Sequence, residues 1–299
     1  MVSFNRKGRN GTMFGAIEAG GTKMVVAIGD EKGNILEQKE IPTTTPEETM
    51  PQILDFFKRD NVKAIGIGAF GPVCVDETSK DYGRIGKTPK LPWVNFSWKE
   101  AFEETGIPVA VDTDVNVAAL GEVIYGSAKG LSDIIYITIG TGIGVGVYLG
   151  GKLQHGMMHP EAGHILLEKR ADDHFEGNCP YHRNCFEGLA SGPAIQARYG
   201  KPAALLTEIE EVWELEADYI AKAIMQYICC YSPKKVILGG GVMHVEKLFS
   251  MIREKTFKYM NGYITAKELD NIDEYIVPAG LKGEQGIKGA LYLAEILNA

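Results

Sequence analysis

This sequence holds little of what would place a chain in a membrane, in a disulfide-stapled framework or on nucleic acid. Its most apolar stretch, Asp133–Leu149 (DIIYITIGTGIGVGVYL), is broken at its centre by glycine and threonine, and β-branched residues dominate both halves. Two buried strands around a glycine turn are expected there, not a membrane-spanning helix. Met1–Thr12 lacks an apolar core and a cleavage pattern, so it is no signal peptide. It is expected to be a disordered, tag-like extension outside the fold. Cysteine is sparse and odd in number, five in all, which excludes a disulfide framework and predicts reduced thiols and a cytoplasmic setting. Positive charge is also scarce: 31 Lys and Arg stand against 39 Asp and Glu, for a net charge of −8. Three of those bases, Arg6, Lys7 and Arg9, lie in the extension, so the rest is more acidic still. Such a body repels phosphate backbones and anionic lipid, which argues against nucleic-acid and membrane partners but not against a small neutral substrate.

What is there suits a soluble α/β protein. A chain of 299 residues can carry two domains of ordinary size. Phe14–Glu18, Lys23–Gly29 and Asn34–Ile41 read as an antiparallel meander joined by tight turns. A helix is expected from Thr45, with Pro46, Glu47 and Glu48 in its first turn, and a buried parallel strand at Val62–Gly68. The same opening recurs about 120 residues later: strand Asp133–Ile139, turn Gly140–Gly144, strand Val145–Leu149, turn Gly150–Gly151. That recurrence predicts a duplicated α/β domain. Helices are expected at Ile209–Tyr231 and Gly286–Leu297, and a strand at Lys235–Leu238.

Three glycine turns follow directly on apolar strands: Gly20–Gly21–Thr22–Lys23, Gly140–Thr141–Gly142–Ile143–Gly144 and Gly239–Gly240–Gly241. Backbone N–H groups at such turns can cradle phosphates. One turn alone usually only joins two strands. Neither a Walker A pattern nor a G-x-G-x-x-G opening a dinucleotide-binding helix is present.

In order and spacing the three turns resemble the phosphate and adenosine motifs of the actin/hexokinase/heat-shock ATPase superfamily. From Glu18 to Gly283 the chain resembles the ROK family of sugar kinases and repressors. The resemblance implies a two-lobed actin-like ATPase (ribonuclease H-like) fold with duplicated βββαβαβα domains, 13–122 with 285–299 and 123–284. It also implies that Gly20, Gly21, Thr22, Lys23, Gly140, Thr141 and Gly142 grip phosphates. Gly239, Gly240, Gly241, Val242 and Met243 would line the adenine side, with Pro193 near the nucleotide. The family's first motif usually begins with aspartate, where this chain has Glu18.

Phosphoryl transfer to a sugar hydroxyl needs a base for the hydroxyl proton. The segment VAVDTDVNVAALGE (109–122) resembles the family's catalytic signature and makes Asp114 that base, with Asn116 on the following turn. Thr113, a sugar contact, stands where the family often has asparagine. By itself the segment also reads as Asp112 and Asp114 capping a helix.

Cys179, His182 and Cys185 fall at C-x2-H-x2-C, with His164 fifteen residues before the first of them. Two thiolates and two imidazoles make a closed tetrahedral set for a structural Zn²⁺, and the resemblance implies zinc in this place. Glu161 and Glu187 flank these ligands. With His164 they are the residues whose family counterparts contact sugar. His155, His159 and His174 are expected at the surface. The segment YGRIGKTPKLPWVNFSW (82–98) resembles the fructokinase-like branch, and Asn95 in it is read as a sugar contact or a turn residue. The expected activity is therefore a fructokinase, a phosphotransferase with an alcohol acceptor, using Mg²⁺ with ATP and working as a homodimer. Mannose, glucose or N-acetylmannosamine kinases are the alternatives within the family. A non-catalytic sugar-binding or regulatory protein is the alternative of another class.

Overall fold

The computed structural model describes residues 11–58 and 62–299. The first ten residues of the expected N-terminal extension lie outside the described residues. In chain order the elements are β1 (Met13–Ala19), β2 (Lys23–Asp30), β3 (Ile35–Pro42), α1 (Pro46–Phe57), β4 (Val62–Ala69), α2 (Trp98–Phe102), β5 (Val109–Thr113) and α3 (Asp114–Ile124). Then come β6 (Ile134–Ile139), β7 (Ile143–Leu149), β8 (Lys152–Leu153), α4 (Phe186–Ala190), α5 (Gly192–Tyr199) and α6 (Glu210–Tyr231). The chain ends with β9 (Lys235–Gly239), α7 (Lys247–Met260), α8 (Ile272–Tyr275), β10 (Ile276–Pro278) and α9 (Gln285–Asn298).

Two five-stranded sheets result, ordered β3-β2-β1-β4-β5 and β10-β9-β6-β7-β8. In each, an antiparallel three-strand meander is extended by two strands parallel to its first. The duplication expected from two similar openings is thus present strand for strand. Contacts divide the chain into two compact units, one running up to Val117 and taking in Gly286–Ala299, the other Ala118–Gln285. The division falls inside α3, so the residues after Asp114 pass from one unit into the next.

In the first unit, Ile17, Met24, Val26, Ile65 and Ile67 pack beneath α1, whose Ile53, Phe56 and Phe57 complete that core. The opposite sheet face carries Phe14, Ala16 and Ala64 against Ile287, Ala290, Leu291 and Ala294 of α9. Period-two alternation puts Glu18 on that same face, one step beyond Ala16. Helix–sheet approach is closest at β4. A Cβ on Gly66 would lie 1.9 Å from the Ala290 carbonyl oxygen, and one on Gly68 would lie 2.2 Å from a Val117 methyl. Only glycine admits backbone at those distances. Between β4 and β5 the chain makes an arm whose centre is aromatic. Trp93 stacks on Trp98 at 5.8 Å and meets Phe70 and Phe96 edge-on. Trp93 and Trp98 are fully buried, and truncating either to alanine would cost about 3–5 kcal/mol.

The second unit buries α6 across its core with Trp213, Tyr219, Ile220, Ile224 and Tyr227. The Gly140–Gly144 turn is shorter than expected. Gly144 lies within β7 and pairs with Thr138, leaving Gly140–Gly142 as the turn. No helix among the described residues is long and apolar enough to cross a membrane.

Candidate active site

The head of α3 separates capping from carboxylate chemistry. Thr113 Oγ1 accepts the Asn116 N–H at 3.2 Å and so caps the helix. Asp112 is buried and accepts from its neighbour's N–H and from Asn116 Nδ2, both at 2.7 Å. Asp114 is left half-buried, accepting local N–H groups, its own and that of Val115, the latter at 2.8 Å. Capping is thus the work of Thr113, not of Asp112 or Asp114. Burial pushes the Asp114 carboxyl up to about 6, against the lowering effect of these backbone donors. Thr113 itself is buried, so its hydroxyl is committed to the cap as an acceptor and keeps one proton to give.

Glu18, on β1, lies close enough to Asp114 to be perturbed by it. Burial and then the Asp114 charge push its carboxyl up to about 7, with Lys23 pulling the other way. The Gly20–Lys23 turn that follows is tight. The Gly20 N–H donates to the Lys23 carbonyl at 3.1 Å, and Thr43 Oγ1 donates to the Gly20 carbonyl at 2.8 Å. The Lys23 ammonium pairs with Glu40 on β3, both groups being exposed.

In the second unit, the second and third turns come together. The Gly140 N–H donates to the Gly142 carbonyl at 2.9 Å, and the Gly192 N–H to the Gly140 carbonyl at 2.8 Å. Gly192 opens α5 with Pro193 in its first turn, so the ALASGP segment sits against the Gly140 turn. A Cβ on Gly140 would lie 3.9 Å from the Gly241 nitrogen. Gly240 has φ +90°, and a Cβ there would meet the Ile139 carbonyl oxygen at 2.4 Å, so glycine is required. Gly239 ends β9, and Val242 and Met243 are buried in the core. Thr141 is exposed at the tip of its turn.

The four residues at C-x2-H-x2-C plus His164 converge, with one ligand atom from each lying within 4.8 Å of the others. His164 Nδ1 is 3.5 Å from Cys185 Sγ and 3.8 Å from Cys179 Sγ, and His182 Nδ1 is 3.9 Å from Cys179 Sγ. Tetrahedral Zn–S and Zn–N bonds require ligand separations of about 3.5 Å, so this donor set fits zinc. Burial pushes the Cys185 thiol up to about 12, so its thiolate needs a cation beside it. Cys185 also caps α4, its Sγ accepting the Gly188 N–H at 3.4 Å, and Glu187 lies in that helix's first turn.

Glu187 joins two groups of residues. Its Oε2 accepts the Ile143 N–H at 2.9 Å, and its Oε1 is 4.0 Å from His164 Nε2. His164 therefore turns Nδ1 to the thiols and Nε2 to Glu187. A Cβ on Gly142 would lie 2.7 Å from Glu187 Oε2, so glycine there admits the carboxylate. Glu161 is exposed and stands 3.5 Å from His159 Nδ1. His159 is buried, contrary to the surface position expected of it; His155 and His174 are exposed as expected. Asn95 is an exposed residue at φ +67° whose backbone accepts from Arg84 Nη1 at 2.7 Å, which accounts for asparagine as a turn residue.

Twice-repeated sheets with glycine turns at their strand ends and an acid heading the helix after β5 are the actin-like ATPase architecture. Sugar kinases of that class share it: a ROK family glucokinase from Streptomyces griseus, in complex with glucose and AMPPNP, aligns at TM-score 0.73 and 27% identity over 96% of this chain and 100% of its own. The chain belongs to the ROK family, whose model matches residues 14–296. A Bacillus subtilis (strain 168) protein is 52% identical over 94% of this chain and 95% of its own length. The fructokinase of Pediococcus pentosaceus is 46% identical over 95% and 98%.

Proposed function

We propose that this chain is an ATP-dependent fructokinase, transferring the γ-phosphoryl group of Mg·ATP to the terminal hydroxyl of fructose to give fructose 6-phosphate and ADP. The observation that carries the mechanism is the state of Asp114: a carboxylate at the head of α3, relieved of capping by Thr113 and held near pKa 6. A base of that strength is ionised at neutral pH yet takes a proton readily. The similarity to the Pediococcus pentosaceus fructokinase supports fructose as the acceptor. The Streptomyces griseus glucokinase, bound to glucose and an ATP analogue, supports a hexose and a nucleotide as partners.

Asp114 takes the hydroxyl proton as the sugar oxygen attacks phosphorus. Glu161, His164 and Glu187 accept and donate hydrogen bonds to the sugar hydroxyls, and charged acceptors make those bonds roughly twice as strong as neutral ones. Thr113 and Asn95 complete the sugar contacts. Gly20, Gly21, Thr22 and Lys23, with Gly140, Thr141 and Gly142, would hold the phosphates of Mg·ATP, and Glu18 stands on the strand that leads into the first of these turns. Gly239, Gly240, Gly241, Val242, Met243 and Pro193 form the adenine side. His164, Cys179, His182 and Cys185 would hold Zn²⁺, which when bound fixes the loop carrying Glu187 and converts both thiols to thiolates. We place the enzyme in the cytoplasm, where reducing conditions keep those thiols available. Following the family resemblance, we take its two compact units as the two domains and the working form as a homodimer. ADP release with Mg·ATP across fructose, mannose, glucose and N-acetylmannosamine tests the reading. Fructose should give the highest kcat/KM; no turnover with any hexose would sink it.

A further inference from the structure

We propose that Lys90 is a further catalytic residue of this transfer, its ammonium meeting the oxygens of the γ-phosphoryl group over the Gly20–Gly21 turn. The inference rests on the kinase reading above. It starts from an approach within the first unit that no sequence spacing announces. A Cβ built on Gly21 would lie 3.2 Å from Lys90 Cε and 3.9 Å from Lys90 Nζ. The space that a side chain at position 21 would take is thus filled by the end of a lysine sixty-nine residues away in sequence.

Lys23, the lysine within the turn itself, gives its ammonium to Glu40 at an exposed position. Lys90 is half-buried and is delivered by a built support. Its N–H donates to Thr88 Oγ1 at 3.4 Å, Thr88 being buried, and its carbonyl accepts the Trp93 N–H at 2.8 Å. Trp93 is in turn locked into the aromatic cluster and donates Nε1–H to the Thr44 carbonyl at 2.8 Å. At the base of the arm the Gly86 N–H donates to the Pro72 carbonyl at 2.7 Å. A lysine stem rooted in a fixed backbone reaches one place at a smaller entropy cost than a free surface lysine.

Chemistry supplies the reason for a cation there. The sugar oxygen bonds to the γ-phosphorus, the bond from that phosphorus to the β,γ-bridging oxygen breaks, and the hydroxyl proton passes to Asp114. Negative charge spreads over the three equatorial oxygens and the leaving ADP. Glu18, on the strand that leads into this turn, and Asp114 lie near enough to perturb one another, and like charges there oppose a further anion. The Lys90 ammonium donates hydrogen bonds to those oxygens, a preorganised electrostatic role.

Steady-state kinetics of Lys90→Gln and Lys90→Arg test this, with Tm measured beside them. Lys90→Gln should lower kcat with fructose roughly a hundredfold, leave fructose KM within about twofold and keep the wild-type Tm. Lys90→Arg should recover at least about tenfold of the loss, and added ethylamine should restore turnover to Lys90→Ala. If Lys90→Gln keeps kcat within about twofold of wild type, the proposal is overturned. The same holds if its loss comes with a lowered Tm and neither arginine nor amine restores it. A wild type inactive on every hexose sinks the kinase reading as well; an active wild type with an unaffected Lys90→Gln sinks this proposal alone.

Discussion

Glu187 accepts a hydrogen bond from the backbone N–H of Ile143 at 2.9 Å. Ile143 follows directly on Thr141–Gly142, so the carboxylate proposed to hold the sugar also anchors the turn proposed to hold phosphate. Its other oxygen faces His164 Nε2, while His164 Nδ1 faces the thiols of Cys179 and Cys185. One side chain therefore links His164, which faces the thiols, to the Gly140–Gly142 turn.

From that link we expect Glu187→Gln and Glu187→Ala to differ. Both lose a charged sugar acceptor and should raise fructose KM at least tenfold, a loss of about 1.4 kcal/mol or more. The amide oxygen of glutamine can still accept from Ile143, whereas alanine leaves that N–H without its acceptor. Calorimetry should show MgADP affinity near wild type for Glu187→Gln and several-fold weaker for Glu187→Ala. Equal nucleotide affinities would refute the anchoring.

The pH dependence follows from Asp114. A base must be ionised, and burial holds this carboxyl at about 6. Thus kcat/KM for fructose should be level above about pH 7 and fall tenfold per pH unit well below 6. Stability runs the other way. The folded state binds this proton more tightly than the unfolded chain does, so the group costs stability as pH rises from about 4 through 6. Asp114→Asn should therefore stabilise the ligand-free protein at pH 8, on the order of 2 kcal/mol, as read by urea unfolding; a destabilised variant would contradict the shift.

Removing zinc should act on the sugar side through α4. Cys185 is at once a proposed zinc ligand, the cap of α4 and two residues from Glu187. Chelation to verified zinc loss, or Cys185→Ser, should lower Tm by several degrees and raise fructose KM more than ATP KM. Unchanged Tm and KM in metal-free protein would show that the four ligands do not position Glu187.

Much of this was legible in the sequence because local signals agreed with the fold. Thr45, Pro46 and the two glutamates mark the start of α1, and glycines after apolar strands mark all three turns. The C-x2-H-x2-C spacing gathers its own thiol and imidazole groups within one loop. Long-range pairings were not legible. Nothing in the spacing of Gly21 and Lys90 says that they meet, since the aromatic arm decides it. His159 reads as a polar residue in a loop, yet it is buried beside Glu161. The Glu187–Ile143 bond depends on Gly142 having no side chain, which is a packing fact and not a pattern. That Thr113 Oγ1 caps α3 by accepting the Asn116 N–H, and so relieves Asp112 and Asp114 of that work, is likewise a matter of packing.

Turnover by Asp114→Asn at saturating fructose and Mg·ATP, with ATP affinity measured on the same protein, is the most direct test of Asp114 as the proton acceptor. We expect kcat to fall by two to four decades while the ATP dissociation constant stays within about threefold. A variant that turns over fructose at near wild-type rate would contradict the assignment.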